Sequence, residues 1–150
     1  MFNFKEKIMN KKVFIVALII LASAAGLINS ILTSANKPKN YVKVYYFHGD
    51  NRCQTCLTIE EYTTDAIKQY FENEVDDGKV IFNVVNFDKK KNQEFIGKYK
   101  LYNQALIMVR YVNDKEVEWK DCQKIWENVS DRGKFFSYVK KEINKYLKKK

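Results

Sequence analysis

Between Tyr41 and Val75 the spacing of apolar residues changes period, and that change limits the chain to a small set of folds. Tyr41 to Phe47, YVKVYYF, is β-branched and aromatic and stops at the turn cluster His48-Gly49-Asp50-Asn51, the pattern of a first strand. From Cys53 onward Cys56, Ile59, Ala66, Ile67, Tyr70, Phe71 and Val75 recur at spacings of three and four, which is one face of a long amphipathic helix stopped by Asp76-Asp77-Gly78. Lys79 to Phe87, KVIFNVVNF, is a nearly continuous apolar run, as in a strand covered on both faces, and is expected at the centre of the sheet. A right-handed crossover makes strand, helix and strand a parallel unit.

Phe95, Ile96 and Tyr99 give Lys89 to Tyr99 a helical spacing, and Ala105 to Val112, ALIMVRYV, is a further strand. Asn113-Asp114 turns it into Lys115 to Trp119, an antiparallel hairpin. Phe135, Phe136, Val139, Ile143, Tyr146 and Leu147 form the stripe of a last helix that begins near Asp131, an N-cap residue type. Trp119 and Trp126 are expected to pack against that helix. The order strand, helix, strand, helix, strand, strand, helix over residues 41–150 predicts an α/β domain with a mixed sheet of about four strands and helices on both faces. The chain has 150 residues, 46% of them apolar and 15% aromatic, enough for one core and unlike a disordered composition.

Residues 1–40 carry a different signal. Lys5 to Lys12 form a positive region, and Val13 to Leu32 is free of charge over about 20 residues, the length at which one helix crosses a hydrocarbon core. Two readings stay open: an uncleaved anchor, or a signal peptide cut after Thr33-Ser34-Ala35. Either one keeps the N-terminus in the cytoplasm and exports the domain to the cell surface, periplasm or medium. Ser34 to Asn40, with the chain's single proline, Pro38, reads as a linker.

The formal net charge is +9. Lys5, Lys7, Lys11, Lys12, Lys37 and Lys39 against Glu6 put five of those charges before Tyr41, and much of the rest lies in the last helix at Lys140, Lys141, Lys145 and Lys148 to Lys150. Basic residues interleaved with aromatics along a nucleic-acid-binding face are missing, so no nucleic acid is expected as a partner. The Lys- and Asn-rich, Cys-poor domain has a bacterial look, which discounts the glycosylation pattern Asn128-Val129-Ser130.

The candidate site is Cys53-Gln54-Thr55-Cys56. A C-x-x-C after a strand and on the first turn of a helix puts the first sulfur near unpaired N–H groups and the positive end of the helix dipole, which favours a thiolate at Cys53. Arg52 adds a fixed positive charge. Cys56, one turn on, is spaced to resolve a mixed disulfide by closing the bond to Cys53. A second use of the same sulfurs is to hold a metal or metalloid; a closed zinc site would need His48, Cys53, Cys56 and Cys122 to converge. Cys122 is expected to be a packing residue. His48, five residues before Cys53, is a turn residue or a proton shuttle. No cofactor signature is present, flavin included.

From Tyr41 onward the chain resembles thioredoxin, through the strand, the C-x-x-C, the long helix, the strand ending Val85-Asn86-Phe87-Asp88, the helix closing at Tyr99-Lys100-Leu101, and the hairpin before a terminal helix. More narrowly, Tyr45-Tyr46-Phe47-His48-Gly49-Asp50-Asn51-Arg52-Cys53-Gln54-Thr55-Cys56 with Thr58-Ile59-Glu60, and Val117-Glu118-Trp119-Lys120 with Trp126, is similar to a bacterial thioredoxin-like family labelled ArsF, or nitrophenyl-compound nitroreductase subunit. The resemblance implies a monomeric soluble domain that exchanges disulfides with protein thiols. Its rivals are an arsenical- or metal-binding protein and an accessory subunit of a membrane redox complex. Three departures stand out. Arg52 replaces the tryptophan before the first cysteine, and Gln54-Thr55 replaces Gly-Pro. The family's cis-proline aligns near Ala105, where a trans peptide is expected because a non-proline cis bond costs about 3 kcal/mol. The acid buried beneath the dithiol has no counterpart that can be assigned.

Overall fold

The structure, a computed structural model, describes residues 38–149. The predicted anchor, Val13 to Leu32, and the candidate cleavage site lie outside the described residues. Among those described, no helix is long and apolar enough to cross a membrane.

Four strands, β1 (Tyr41–His48), β2 (Val80–Asn86), β3 (Ala105–Val112) and β4 (Lys115–Asp121), form one sheet in the order β2-β1-β3-β4. β1 and β2 are parallel, with Val44 opposite Phe82, and the β1–β3 and β3–β4 pairs are antiparallel. The helices are α1 (Gln54–Asp76), α2 (Glu94–Tyr99), α3 (Lys124–Asn128) and α4 (Arg132–Lys148), with a 3-10 turn at Lys90–Asn92 before α2.

Strand alternation divides the apolar residues of β1 between two layers. Val42, Val44 and Tyr46 enter the larger core with Ile59, Ala66 and Phe71 of α1 and Phe135, Val139 and Ile143 of α4. Tyr45 and Phe47 enter the opposite layer with Tyr99, Leu101, Ile107 and Val109. That second layer is mostly aromatic: the Phe95 and Tyr99 rings stack at 6.0 Å, and Tyr45 stands 5.3 Å from Phe47. α2 has only six residues, too few to bury an aliphatic stripe, and large rings make up the contact area.

Two terminators act as predicted. Gly78 takes φ +72° after α1, where its N–H donates to Val75 O, and Asp131 caps α4 by accepting from the Lys134 N–H at 3.0 Å. The predicted hairpin turn also forms, with positive φ at both Asn113 (50°) and Asp114 (61°), the requirement of a two-residue turn matched to strand twist.

Three expectations are corrected. The Lys79 to Phe87 strand is an edge strand, because β1 takes the place between β2 and β3; its nearly continuous apolar run reflects partial cover on its two faces, with Val80 and Phe82 toward the larger core and Val85 toward the aromatic layer, while Val84 is exposed. Trp119 does not pack on the last helix. An irregularity in the β3–β4 ladder at Arg110/Tyr111 sets Trp119 opposite Val109, on the aromatic face, with its ring edge-on to Tyr99 at 5.5 Å. Trp126 lies on α3, a five-residue helix between the hairpin and α4 that the periodicity did not reveal.

Gly78→Ala is expected to destabilise the domain by about 1–2 kcal/mol, because an L side chain resists the left-handed region and its Cβ would stand 3.4 Å from Pro38 Cδ. Urea unfolding followed by circular dichroism measures the loss.

Candidate active site

β1 ends in a loop that is held from both sides. The backbone N–H of Asp50 donates to Asp88 Oδ2 at 2.7 Å, while Asp50 Oδ1 accepts from Asn86 Nδ2 at 2.7 Å and Lys89 Nζ at 2.8 Å. The Lys89 and Asn86 hydrogen bonds hold the Asp50 carboxyl below the usual carboxylate range. At Gly49 a Cβ would fall 2.8 Å from Asp88 Oδ2, so a side chain there would push the Asp88 carboxylate from its place on the Asp50 N–H. On the other side Gln104 Nε2 donates to Asn51 O at 3.2 Å. The Gln104–Ala105 peptide is trans, as expected without the family's proline.

That loop delivers Cys53 to the N-cap of α1 with an extended backbone, φ −79° and ψ 163°, and its Sγ accepts from the Cys56 N–H at 3.1 Å. A sulfur takes the place usually held by a Ser or Asp oxygen. Cys53 and Cys56 are joined as a disulfide with Cα atoms 5.1 Å apart. The two sulfurs differ in access: Cys53 is exposed, whereas Cys56 is 2% exposed. A partner's sulfur can therefore reach the first residue of the pair and not the second.

Three side chains surround the turn that carries Cys56. From β1, the buried Tyr46 hydroxyl donates to Cys56 O at 2.7 Å. Burial pushes the Tyr46 phenol up to about 12, against the nearby Arg52 charge, which lowers it. Arg52 is half-buried and ion-paired with Glu60 of α1, its charge acts on the Tyr46 phenol, and its Nε is buried without a partner. The positive charge expected beside Cys53 is thus shared with a carboxylate. Tyr46 and Glu60 stand in the segments that carry the narrower resemblance, where no role at the cysteine pair falls to them. Glu60 had a usable signal, since it follows Cys56 by four residues and so shares its helix face; Tyr46 had only its place in an alternating strand.

The remaining candidates stand apart from this cluster. His48 lies at the strand end with Nδ1 donating to Gly49 O at 2.8 Å and its ring 6.4 Å from that of Tyr46. Cys122 is a free thiol, fully buried in the larger core, with Tyr138 of α4 as its side-chain partner. It is the packing residue expected. Among the described residues no three His, Cys, Asp or Glu side chains gather as a metal site, so the four-ligand set His48, Cys53, Cys56 and Cys122 does not converge.

No protein-family model matches the chain, and no curated protein matches it. Solved structures do. The zinc-bound form of human ERp44 aligns with a TM-score of 0.50 at 14% identity, over 73% of this chain and 28% of that one. The reduced thioredoxin pre-protein of Schistosoma mansoni gives 0.44 at 21% identity over 81% and 90%, and the thioredoxin of Trypanosoma brucei brucei gives 0.41 at 16% over 77% and 85%. The ERp44 likeness concerns part of that longer chain, of which this chain covers 28%. The fold is thioredoxin-like.

Burial raises the Cys122 thiol from its ordinary 9.0 to about 12, so at pH 8 only about one molecule in ten thousand carries a thiolate there, and the thiolate is the reactive form. The oxidised folded chain is expected to show no thiol to a maleimide or Ellman's reagent. One thiol appears on adding denaturant, and mass spectrometry locates it at Cys122.

Proposed function

We propose that the chain is a thiol-disulfide oxidoreductase that exchanges the Cys53–Cys56 bond with the thiols or disulfides of a partner protein. The observation that carries this reading is the asymmetry of the pair, an exposed Cys53 at a helix N-cap bonded to a buried Cys56.

The chemistry follows from that asymmetry. When a partner is oxidised, its thiolate attacks Cys53 Sγ; the Cys53–Cys56 bond breaks and its electron pair leaves on Cys56 Sγ. A second partner thiolate then attacks the partner sulfur of the mixed disulfide, and Cys53 departs as a thiolate. The partner loses two electrons and the dithiol gains them. In the opposite direction the Cys53 thiolate opens a partner disulfide, and Cys56 closes on Cys53 to release the partner's second thiol. The Cys56 N–H, 3.1 Å from Cys53 Sγ, is the donor that stabilises charge on the entering or leaving sulfur.

The setting belongs to the same proposal. The positive Lys5 to Lys12 region and the uncharged run Val13 to Leu32 support an exported domain, single-pass at the cell membrane if the run stays in place and secreted or periplasmic if it is cut. The likeness to ArsF in the segments around Cys53 and Trp119 supports a bacterial, arsenic-resistance-associated role within that class.

The full chain, purified with detergent present, is expected to reduce insulin or to oxidise a reduced test protein. Cys53→Ser abolishes turnover, and Cys56→Ser accumulates a mixed disulfide visible on a non-reducing gel. If turnover is absent while arsenite or zinc binds in a one-to-one ratio that requires both sulfurs, the chain is a carrier. If a partner co-purifies after both cysteines are replaced by Ser, it is an accessory subunit.

A further inference from the structure

Arg52 does not face solvent as a free charge beside the nucleophilic cysteine. Its guanidinium is ion-paired with the Glu60 carboxylate and its charge reaches the Tyr46 phenol, whose hydrogen goes to Cys56 O. A strand, a loop and a helix each supply one member, so the arrangement is fixed by the fold and not by a local turn. The buried Arg52 Nε has no acceptor in this disulfide form, which leaves the cation with a donor in reserve beside the pair.

The other charged groups near the loop are occupied elsewhere. Asp50 is satisfied by Lys89 and Asn86, and His48 directs Nδ1 to Gly49 O. Around the Tyr46 hydroxyl, Arg52 and Glu60 are the charges that act. A carboxylate that neutralises Arg52 weakens the field favouring a thiolate on the first turn of α1. Stabilising the reduced form of such a pair makes it a stronger oxidant, and weakening that field makes it a better reductant.

We infer that Glu60 is a positioning residue that sets the redox poise of Cys53–Cys56, holding Arg52 against Tyr46 and offsetting its charge so that the pair stays on the reducing side. The inference rests on the oxidoreductase reading only in assigning Cys53 the nucleophile's role.

The test reads the dithiol without any protein substrate. In the full chain, the reduced pair is titrated by thiolate absorbance in the ultraviolet, and the disulfide is equilibrated with glutathione at a pH above that midpoint. In that equilibrium two glutathione thiols give up two electrons and two protons, the Cys53–Cys56 bond opens to the dithiol, and the glutathione sulfurs join as their disulfide. Glu60→Gln is expected to lower the Cys53 midpoint by about one pH unit and to shift the glutathione equilibrium about tenfold toward the dithiol, or ~30 mV. Arg52→Gln moves both in the opposite direction, and the double variant returns close to the parent, because the ion pair and the double variant both leave no net charge there. Arg52→Lys keeps the charge and stays near the parent midpoint.

Two results overturn the inference: a Glu60→Gln variant whose midpoint and equilibrium equal the parent's, or one that moves with Arg52→Gln, as mere loosening of the loop would do. Tyr46→Phe separates the charge effect from packing, since it removes the hydroxyl contact to Cys56 O and leaves both charges; it is expected to move the midpoint less than twofold. A shift in Glu60→Gln without insulin turnover upholds Glu60 and rejects the oxidoreductase. Turnover with an unmoved midpoint does the reverse.

Discussion

Strand β1 is the constraint on which the rest of the domain depends. It pairs on both edges, in parallel with β2 and antiparallel with β3, and seven of its eight residues take part in the ladder with β2. Its even-numbered positions, Val42, Val44 and Tyr46, are 0–1% exposed in one core, and Phe47 is fully buried in the other. A one-residue slip of register would exchange the two faces and drive Lys43 into the α1–α4 core. In the observed register Lys43 stays partly exposed over the Tyr111 ring, Nζ 4.9 Å from its centre, where the ammonium keeps contact with water and gains an aromatic face. The same register fixes where the strand ends, and so where Cys53 begins the helix.

Most of the fold was legible because its signals are local. The β1 run, the long stripe of α1 ending at Gly78, the Asn113-Asp114 turn and the Asp131 cap depend on residues within a few positions of one another. What was not legible depends on partners distant in the chain. The nearly continuous apolar run of β2 points to cover on both faces and says nothing of how many edges are paired. Trp119 reached the aromatic face through an irregularity whose only sequence trace is one extra residue in a short strand. α3 has five residues, less than two turns, too short for a period to emerge.

The site divides in the same way. The cysteine pair was readable as chemistry, since its spacing and its place after a strand are sequence facts. Its environment was not. Arg52 is legible as a charge beside Cys53, whereas the fold also brings Glu60 and Tyr46 near it. Tyr46 stands in the ladder opposite Val84 and Leu106, and its hydroxyl reaches Cys56 only because β1 lies beneath the first turn of α1. The buried hydrogen-bonding group beneath Cys56 is thus a phenol, where the thioredoxin resemblance leads one to look for an acid. A phenol raised to about 12 keeps its proton at neutral pH and acts there as a donor, which a carboxylate does not.

The two sides of the disulfide are consequently held by interactions of different strength. Behind Cys56 the contacts are buried: the Tyr46 hydrogen bond, Ile59 and the α1–β1 packing, where removal of one partner leaves a group without water to replace it. In front of Cys53 the rim is polar and exposed. Gln104, where the thioredoxin resemblance calls for a proline near Ala105, ties its own loop to Asn51 O through a side-chain amide, a bond of about 1 kcal/mol net that water can replace. Beside it Tyr102 is 89% exposed. Proline has no donor with which to make the Gln104 link, so the two loops that border the accessible sulfur are joined here by a hydrogen bond in place of a fixed ring. The pair therefore joins a half of the site held by buried contacts, behind Cys56, to a half held by contacts that water can replace, in front of Cys53.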